Sequence, residues 1–354
     1  MSSYRQRQAR IRSWLEEAAV DAIMVSSPAN VRYLSGFTGE GHLILTAEAG
    51  AICSDSRFQI EAEQADGLAI AISPNGHLEA AAEFLNSEAA GKLAFEEHVL
   101  TYSQFRKLEK AFGTDGLEPV SGVVEEQRII KDAGEVSAIR KAAQTVDTAL
   151  TELLAEVQPG PTEKELAIEL DHRILLNGAD TIAFPTIAAS GPSAACPHAQ
   201  PTDRRLAEGD MLKIDVGCCL EGYCSDMTRT IFLGEPDERF SKIYSVVLAA
   251  QQAALEQVGP GVTCAQLDKI ARDVVQAAGF GEYFIHGLGH GVGLEVHEAP
   301  RVSARSDEVL AAGMVITVEP GIYIEGWGGV RIEDLVVVTE DGCEILSKTP
   351  KLRY

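Results

Sequence analysis

The chain has 354 residues, 45% hydrophobic and 23% charged, a composition that suits one large or two ordinary globular domains. Its formal charge of −23 provides no long-range attraction to nucleic acid or anionic membrane, so neither is expected as a partner. No apolar run reaches membrane-spanning length, and the opening MSSYRQRQARIRSWLEE has helical spacing without a signal peptide's apolar centre or cleavage site; a cytoplasmic protein is expected.

In chain order, the first third alternates apolar runs with helical patterns. DAIMVSS (21–27), HLILTAE (42–48), GAICSD (50–55), LAIAIS (68–73) and KLAFEE (92–97) read as strands. QIEAEQAD, HLEAAAEFLNSE and TYSQFRKLEKAF carry helical spacing between them. This rhythm predicts an α/β domain around a largely buried sheet. The pattern breaks around 120–132, within GLEPVSGVVEEQRIIKDAGE, and a long helix is expected from about Glu135 to Val157, ending at Pro159-Gly160. The expected domains are therefore 1–125 and 126–354.

The remaining two thirds echo themselves. Pro159, Gly160, Thr162 and Leu166 recur as Pro260, Gly261, Thr263 and Leu267, and each Thr is followed at its third position by Glu165 or Gln266, the pattern of a helix-starting capping box. His198 stands three residues before Pro201, and His297 three before Pro300. Gly209 leads through an apolar run to Asp215, and Gly313 likewise to Glu319. Two related halves about an approximate two-fold axis are expected, with a site at their junction.

KIDVGCCLEGYCSDMTRTIFL (213–233) reads as two strands around a turn at Glu221-Gly222, with Asp215 and Asp226 facing inward. VITVEPGIYIEGWGGVRIEDLVVV places Glu319 and Glu333 in the same situation. Buried carboxylates are costly unless paired or bound to a cation, and Arg229, Arg301 and Arg331 are too few for four. A pair of divalent ions balances the charge better, and the hard oxygen donors plus one imidazole suit Mn²⁺, Co²⁺, Fe²⁺ or Zn²⁺. In HGLGHGVGLEVHE the natural nitrogen ligand is His290, flanked by glycines that permit close backbone approach. The seven cysteines (Cys53, Cys196, Cys218, Cys219, Cys224, Cys264 and Cys343) lack C-x-x-C spacing, which argues against a disulfide framework or zinc ribbon and for a reducing compartment. Cys218, Cys219 and Cys224 are expected as buried thiols in or beside a hairpin rather than a soft-metal site.

The ordered set Asp215, Asp226, His290, Glu319, Glu333 resembles the five-ligand dinuclear site of metallopeptidases with the creatinase/methionine-aminopeptidase, or pita-bread, fold. DVG…SDMTRT, HGLGHGVGLEVHE, TVEPGIY and RIED resemble the proline-specific branch, the Xaa-Pro dipeptidases and aminopeptidases P. NVRYLSGFTGEG and SDSRF resemble that branch's N-terminal domain, so the likeness spans essentially the whole chain. The resemblance implies an α/β creatinase-type domain followed by an α+β pita-bread domain with an internal pseudo-two-fold repeat. It implies that Asp215 chelates one metal and His290 the other, that Asp226 and Glu333 bridge them, and that Glu319 joins the histidine-bound ion. A water or hydroxide shared by the metals would be the nucleophile, and Glu319 would shuttle its proton. His198 and His297 are implied to contact substrate or stabilise its oxyanion. The resemblance further implies proline-containing peptides as substrates, Mn²⁺ as the foremost metal, and a homodimer.

Among the other residues, His286 suits a supporting role behind the ligands. Arg301 suits either a substrate carboxylate or the capping of local acids, and Arg331, two residues before Glu333, is expected to share its strand face and steady an acidic ligand. Asp55 with Arg57 reads as a structural pair, and Tyr33 as a core tyrosine. The leading function is an Xaa-Pro dipeptidase, towards which Arg301 tips the balance. The alternatives are an Xaa-Pro aminopeptidase, a methionine aminopeptidase, a metal-free creatinase-like hydrolase and a non-catalytic binding protein. Small methionine aminopeptidases lack the long N-terminal domain, and the complete ligand set argues against the last two.

Overall fold

The computed structural model describes residues 2–352, and the chain divides into two compact units between Arg128 and Ile129. The first unit is built on a six-stranded sheet in the spatial order Ala69–Ile72, Gly50–Ser54, His42–Thr46, Ala22–Val25, Leu93–Glu96, Leu117–Val120. The two pairings around His42–Thr46 differ from the other three: Ala22–Val25 and Gly50–Ser54 run antiparallel to His42–Thr46, while the remaining neighbours are parallel. Strands buried on both faces read as continuous apolar runs, which is why AIMV and LAFE carry no alternation. Leu117–Val120 falls where the sequence pattern breaks, because Pro119 argues against a strand. It is tolerated because this strand lies at the sheet edge, where one missing N–H breaks no central ladder.

Helices of this unit start and stop where local chemistry dictates. Ser2 caps Ser3–Ala18 by accepting the Arg5 N–H, and Thr101 with Gln104 forms a capping box for Tyr102–Phe112. Pro28 opens the helix Pro28–Ser35, and Gly36, at φ 78°, closes it. Tyr33 is buried and its hydroxyl donates to the Gln127 carbonyl at 2.9 Å. Asp55 pairs with Arg57 at 2.8 Å and with His77 at 2.7 Å.

The second unit carries two helix pairs, Ala133–Glu156 with Glu163–Leu176 and Glu238–Leu255 with Cys264–Ala277. Thr162 with Glu165, and Thr263 with Gln266, form the capping boxes that open the second helix of each pair. The repeat extends to individual backbone hydrogen bonds. The Gly160 and Leu206 N–H groups donate to Leu206 and Pro161, as Gly261 and Leu310 donate to Leu310 and Val262. Gly209 donates to Leu233 as Gly313 does to Val338. One sheet sets Met211–Val216 between Ile187–Ser190 and Met227–Phe232; in the other, Val315–Val318 lies between Gly289–Gly291 and Asp334–Val338. Each helix pair buries its apolar face on its own sheet: Val146, Leu150, Leu170 and Ile214 in the first half, Phe240, Val247, Leu267 and Ile316 in the second. Each such side chain contributes about 1.5–3 kcal/mol by leaving water.

The expected hairpin in 213–233 is present but broken into four short strands. Glu221 and Gly222, at φ 53° and 82°, make the two-residue turn between Cys218–Leu220 and Tyr223–Cys224. The expectation of free thiols is corrected here. Cys219 and Cys224 form a disulfide, while Cys218 remains a buried thiol. The turn places Cys219 and Cys224 directly opposite, with Cα atoms 4.1 Å apart, so cross-strand register rather than any cysteine motif makes the bond possible.

Candidate metal centre

Each candidate ligand sits on or beside a strand of one half's sheet. Asp215 lies in Met211–Val216, opposite Thr228, and Asp226 immediately precedes Met227–Phe232. Glu319 follows Val315–Val318, and Glu333 precedes Asp334–Val338. His290 occupies the three-residue strand Gly289–Gly291. A Cβ at Gly289 would lie 2.1 Å from the Thr317 carbonyl oxygen and one at Gly291 2.2 Å from that of Ala299. The glycines therefore let this strand press between its neighbours and present His290 to the carboxylates.

Asp226, His290 and Glu333 each offer a ligand atom, all within 4.8 Å of one another. His290 Nε2 lies 3.5 Å from Asp226 Oδ2 and 3.5 Å from Glu319 Oε1. Its Nδ1 is 3.0 Å from the Gly291 carbonyl, which assigns the proton to Nδ1 and leaves the Nε2 lone pair facing the acids. Thr228 donates to Glu333 at 2.7 Å, and the Thr317 hydroxyl accepts the His290 N–H at 3.1 Å. Asp215 stands outside the trio, with one oxygen held by Arg331. Oδ1 of Asp215 and Oδ1 of Asp226 are buried without any hydrogen-bond partner. Orphaned buried carboxylate oxygens beside a lone imidazole lone pair are what a divalent cation would satisfy, so the donor set fits such an ion.

The electrostatics agree. Burial, against the pull of Arg331 and with repulsion from Asp215, raises Glu319 to about 8. Asp226 and Glu333 are pushed well above the carboxylate range by burial and then by neighbouring acids. Burial and the adjacent His297 lower His290 to about 4, keeping it the neutral imidazole a metal requires. Burial opposes the Arg331 charge, but Tyr323, Asp215, Glu319 and Glu333 outweigh it and hold its pKa well above the usual value. A raised carboxylate pKa means that stability present below about 4.5 is lost as pH climbs towards about 8. In EDTA, wild type is therefore expected to lose melting temperature relative to Glu319→Gln as pH rises across that window. Parallel melting curves for the two proteins would refute the assignment.

A cavity of about 340 Å³ opens on these groups, lined by His198, His286, His290, His297, Arg301 and Glu319 among others. The His297 ring lies 4.2 Å from that of His290, centroid to centroid. His198, His297 and Arg301 are exposed, and the Arg301 side chain has no hydrogen-bond or ion-pair partner among the described residues. His286 is held on both ring nitrogens, its Nδ1 2.7 Å from the Gly287 carbonyl and its Nε2 2.9 Å from the Tyr323 hydroxyl. Burial and Arg331 lower its pKa to about 3, so it stays neutral and accepts from Tyr323.

Arg331 does steady an acid, but not through the expected strand face. It ends the strand Gly328–Arg331, Glu333 lies beyond that strand and just before Asp334–Val338, and the acid held is Asp215, on the central strand of the first half's sheet. Its other donors reach Thr228 at 2.9 Å, Tyr323 at 3.0 Å and the Pro197 carbonyl at 3.1 Å. Arg229 is spent elsewhere, on Asp334 and the Thr349 carbonyl. Thr228, Thr317, Tyr323 and Lys213 escaped the sequence reading. Only Lys213 left a signal, a charge inside the apolar strand MLKIDV.

Comparison with known proteins accords with this geometry. Residues 137–340 match the model of metallopeptidase family M24, and residues 7–130 match that of the creatinase/prolidase N-terminal domain. The chain is 38% identical over 351 residues to the Xaa-Pro dipeptidase of Pyrococcus furiosus, covering 98% of this chain and 99% of the other. Among solved structures, an Xaa-Pro dipeptidase from Bacillus anthracis superposes with TM-score 0.95 at 38% identity, covering 99% of both chains. An X-Pro aminopeptidase from Thermotoga maritima superposes at 0.91 with 36% identity, covering 98% of this chain and 99% of that one. The chain therefore belongs to metallopeptidase family M24, an enzyme with a creatinase-type N-terminal domain and a pita-bread fold whose chemistry depends on divalent metal ions.

Proposed function

We propose that this enzyme is an Xaa-Pro dipeptidase working with two divalent ions, Mn²⁺ foremost, with Co²⁺, Zn²⁺ or Fe²⁺ as substitutes. The observation that carries the reading is the five-donor set with two orphaned oxygens, opening on a cavity whose rim holds an unpaired Arg301. In this reading residues 126–354 form the catalytic domain and 1–125 the N-terminal domain. Asp215, Asp226, His290, Glu319 and Glu333 would hold these ions. When bound, such ions acidify a water and polarise the scissile carbonyl.

The chain's own groups do the rest. Glu319 carries a proton to the leaving proline nitrogen. His198 and His297, one from each half, donate to the oxygen of the scissile carbonyl as charge gathers on it. Arg301 pairs with the free carboxylate of a dipeptide. Tyr323 and His286 brace Arg331, which holds Asp215 in place. We also propose a cytoplasmic homodimer. No helix among the described residues is long and apolar enough to cross a membrane, and sedimentation at one chain's mass, 37.9 kDa, would count against the dimer.

Substrate length tests the central reading. With Mn²⁺ loaded, Xaa-Pro dipeptides are expected to be cleaved faster than Xaa-Pro-Yaa peptides. Arg301→Met is expected to raise KM for dipeptides by about 10- to 100-fold with kcat little changed, the loss of one charge-assisted contact. Cleavage of the longer peptides alone would make the enzyme an aminopeptidase instead.

A further inference from the structure

Lys213 is fully buried, yet it forms no ion pair among the described residues. Its Nζ instead donates to three carbonyl oxygens, those of Ala194 at 3.2 Å, Cys196 at 2.6 Å and Pro197 at 3.2 Å. The Tyr323 ring lies 5.0 Å from the same nitrogen. Burial and then Arg331 draw the amine's pKa down to about 7, but three converging acceptors match the three N–H donors of an ammonium and favour it. Desolvating an amine in a strand core is costly.

The next residue after those carbonyls is His198. Its side chain has no hydrogen-bond partner or ring contact among the described residues, so its position depends on the backbone that precedes it. That backbone is clamped from two further directions. Arg331 donates to the Pro197 carbonyl, and a Cβ at Gly329 would lie 2.3 Å from the Ala194 oxygen, so that strand presses against the turn. The other half is arranged differently, with a buried Lys131 donating to Glu298 beside His297. There the residue equivalent to Lys213 is Thr317, and His297 rests against the His290 ring. Lys213 and Asp215 are two residues apart on one strand and so share a face.

We infer that Lys213 is a positioning residue for His198, anchoring the 194–197 turn so that this imidazole stands over the cavity in register with Asp215. One strand thereby sets both a metal ligand and the first half's substrate-contacting histidine. The inference rests on the role proposed above for His198.

A double-mutant cycle on the metal-loaded enzyme separates the two. His198→Ala is expected to lower kcat by about 100-fold, the loss of one oxyanion donor. Lys213→Met, of similar length without the amine, is expected to lower kcat by about 10- to 100-fold through misplacement of that donor, with KM within about threefold. Bound metal per chain should be unchanged. In the His198→Ala background, Lys213→Met should cost less than about twofold, because the group it positions is gone. Lys213→Gln, which keeps an N–H donor, guards against a folding defect and should fall between wild type and Lys213→Met. If His198→Ala leaves kcat intact, the role of His198 is wrong and this inference falls with it. If His198→Ala is damaging but Lys213→Met is neutral, or its loss adds in full to that of His198→Ala, or metal is lost, the positioning role alone is overturned.

Discussion

Asp226→Ala is expected to lower kcat by at least about 10³-fold, the scale set by several kcal/mol of metal-borne stabilisation. Asp226 is 5% exposed, has one orphaned oxygen and stands 3.5 Å from His290, between the carboxylates of the two halves. Equilibrium dialysis against Mn²⁺, Co²⁺ and Zn²⁺ should show fewer ions bound per chain. Stability should move differently. Burial and the acids around Asp226 disfavour its charge, so metal-free Asp226→Asn should melt no lower than metal-free wild type at pH 8. Unchanged hydrolysis or an unchanged ion count in the alanine variant would sink the proposed site.

Arg331→Met carries the largest expected cost in stability. This guanidinium is 2% exposed and donates to Asp215, Thr228, Tyr323 and the Pro197 carbonyl, tying its own strand to the first half's sheet and to the turn before His198. Removing one partner of a buried ion pair leaves the other uncompensated, at about 3–5 kcal/mol. For a unit of this size that corresponds to a melting temperature about 10 °C lower. The loss should be greatest without metal, when Arg331 is the cation holding Asp215. Arg331→Lys should recover only part of it, since an ammonium lacks the planar fork that reaches several acceptors. A thermal shift under about 2 °C for Arg331→Met would show that the network adds little.

Much of this was visible before folding. Strands buried on both faces, helices opening on Thr-x-x-Glu or Thr-x-x-Gln, and the paired Pro-Gly-x-Thr echoes are local patterns that a local reading can find. The five donors stood out because carboxylates inside apolar strands have no cheap explanation other than a cation. Leu117–Val120 was not visible, because Pro119 argues against a strand unless that strand lies at an edge, and edges belong to the assembled sheet. The Cys219–Cys224 bond was not visible either, since it depends on a turn register that places them opposite one another.

The amino-acid sequence by itself determined the two-part architecture, the duplication within the second part and the set of candidate donors, because each is written in short-range periodicity and residue chemistry. Tertiary structure decided which cation serves which acid. Arg331 and Asp215 are 116 residues apart, and packing of the strand Gly328–Arg331 against the first half's sheet brings the guanidinium to Asp215 rather than to the nearby Glu333. It also decided that Lys213 meets carbonyls rather than a carboxylate. In a strand, neighbours in sequence face opposite ways, so a buried charge finds its partner across the sheet and not along the chain.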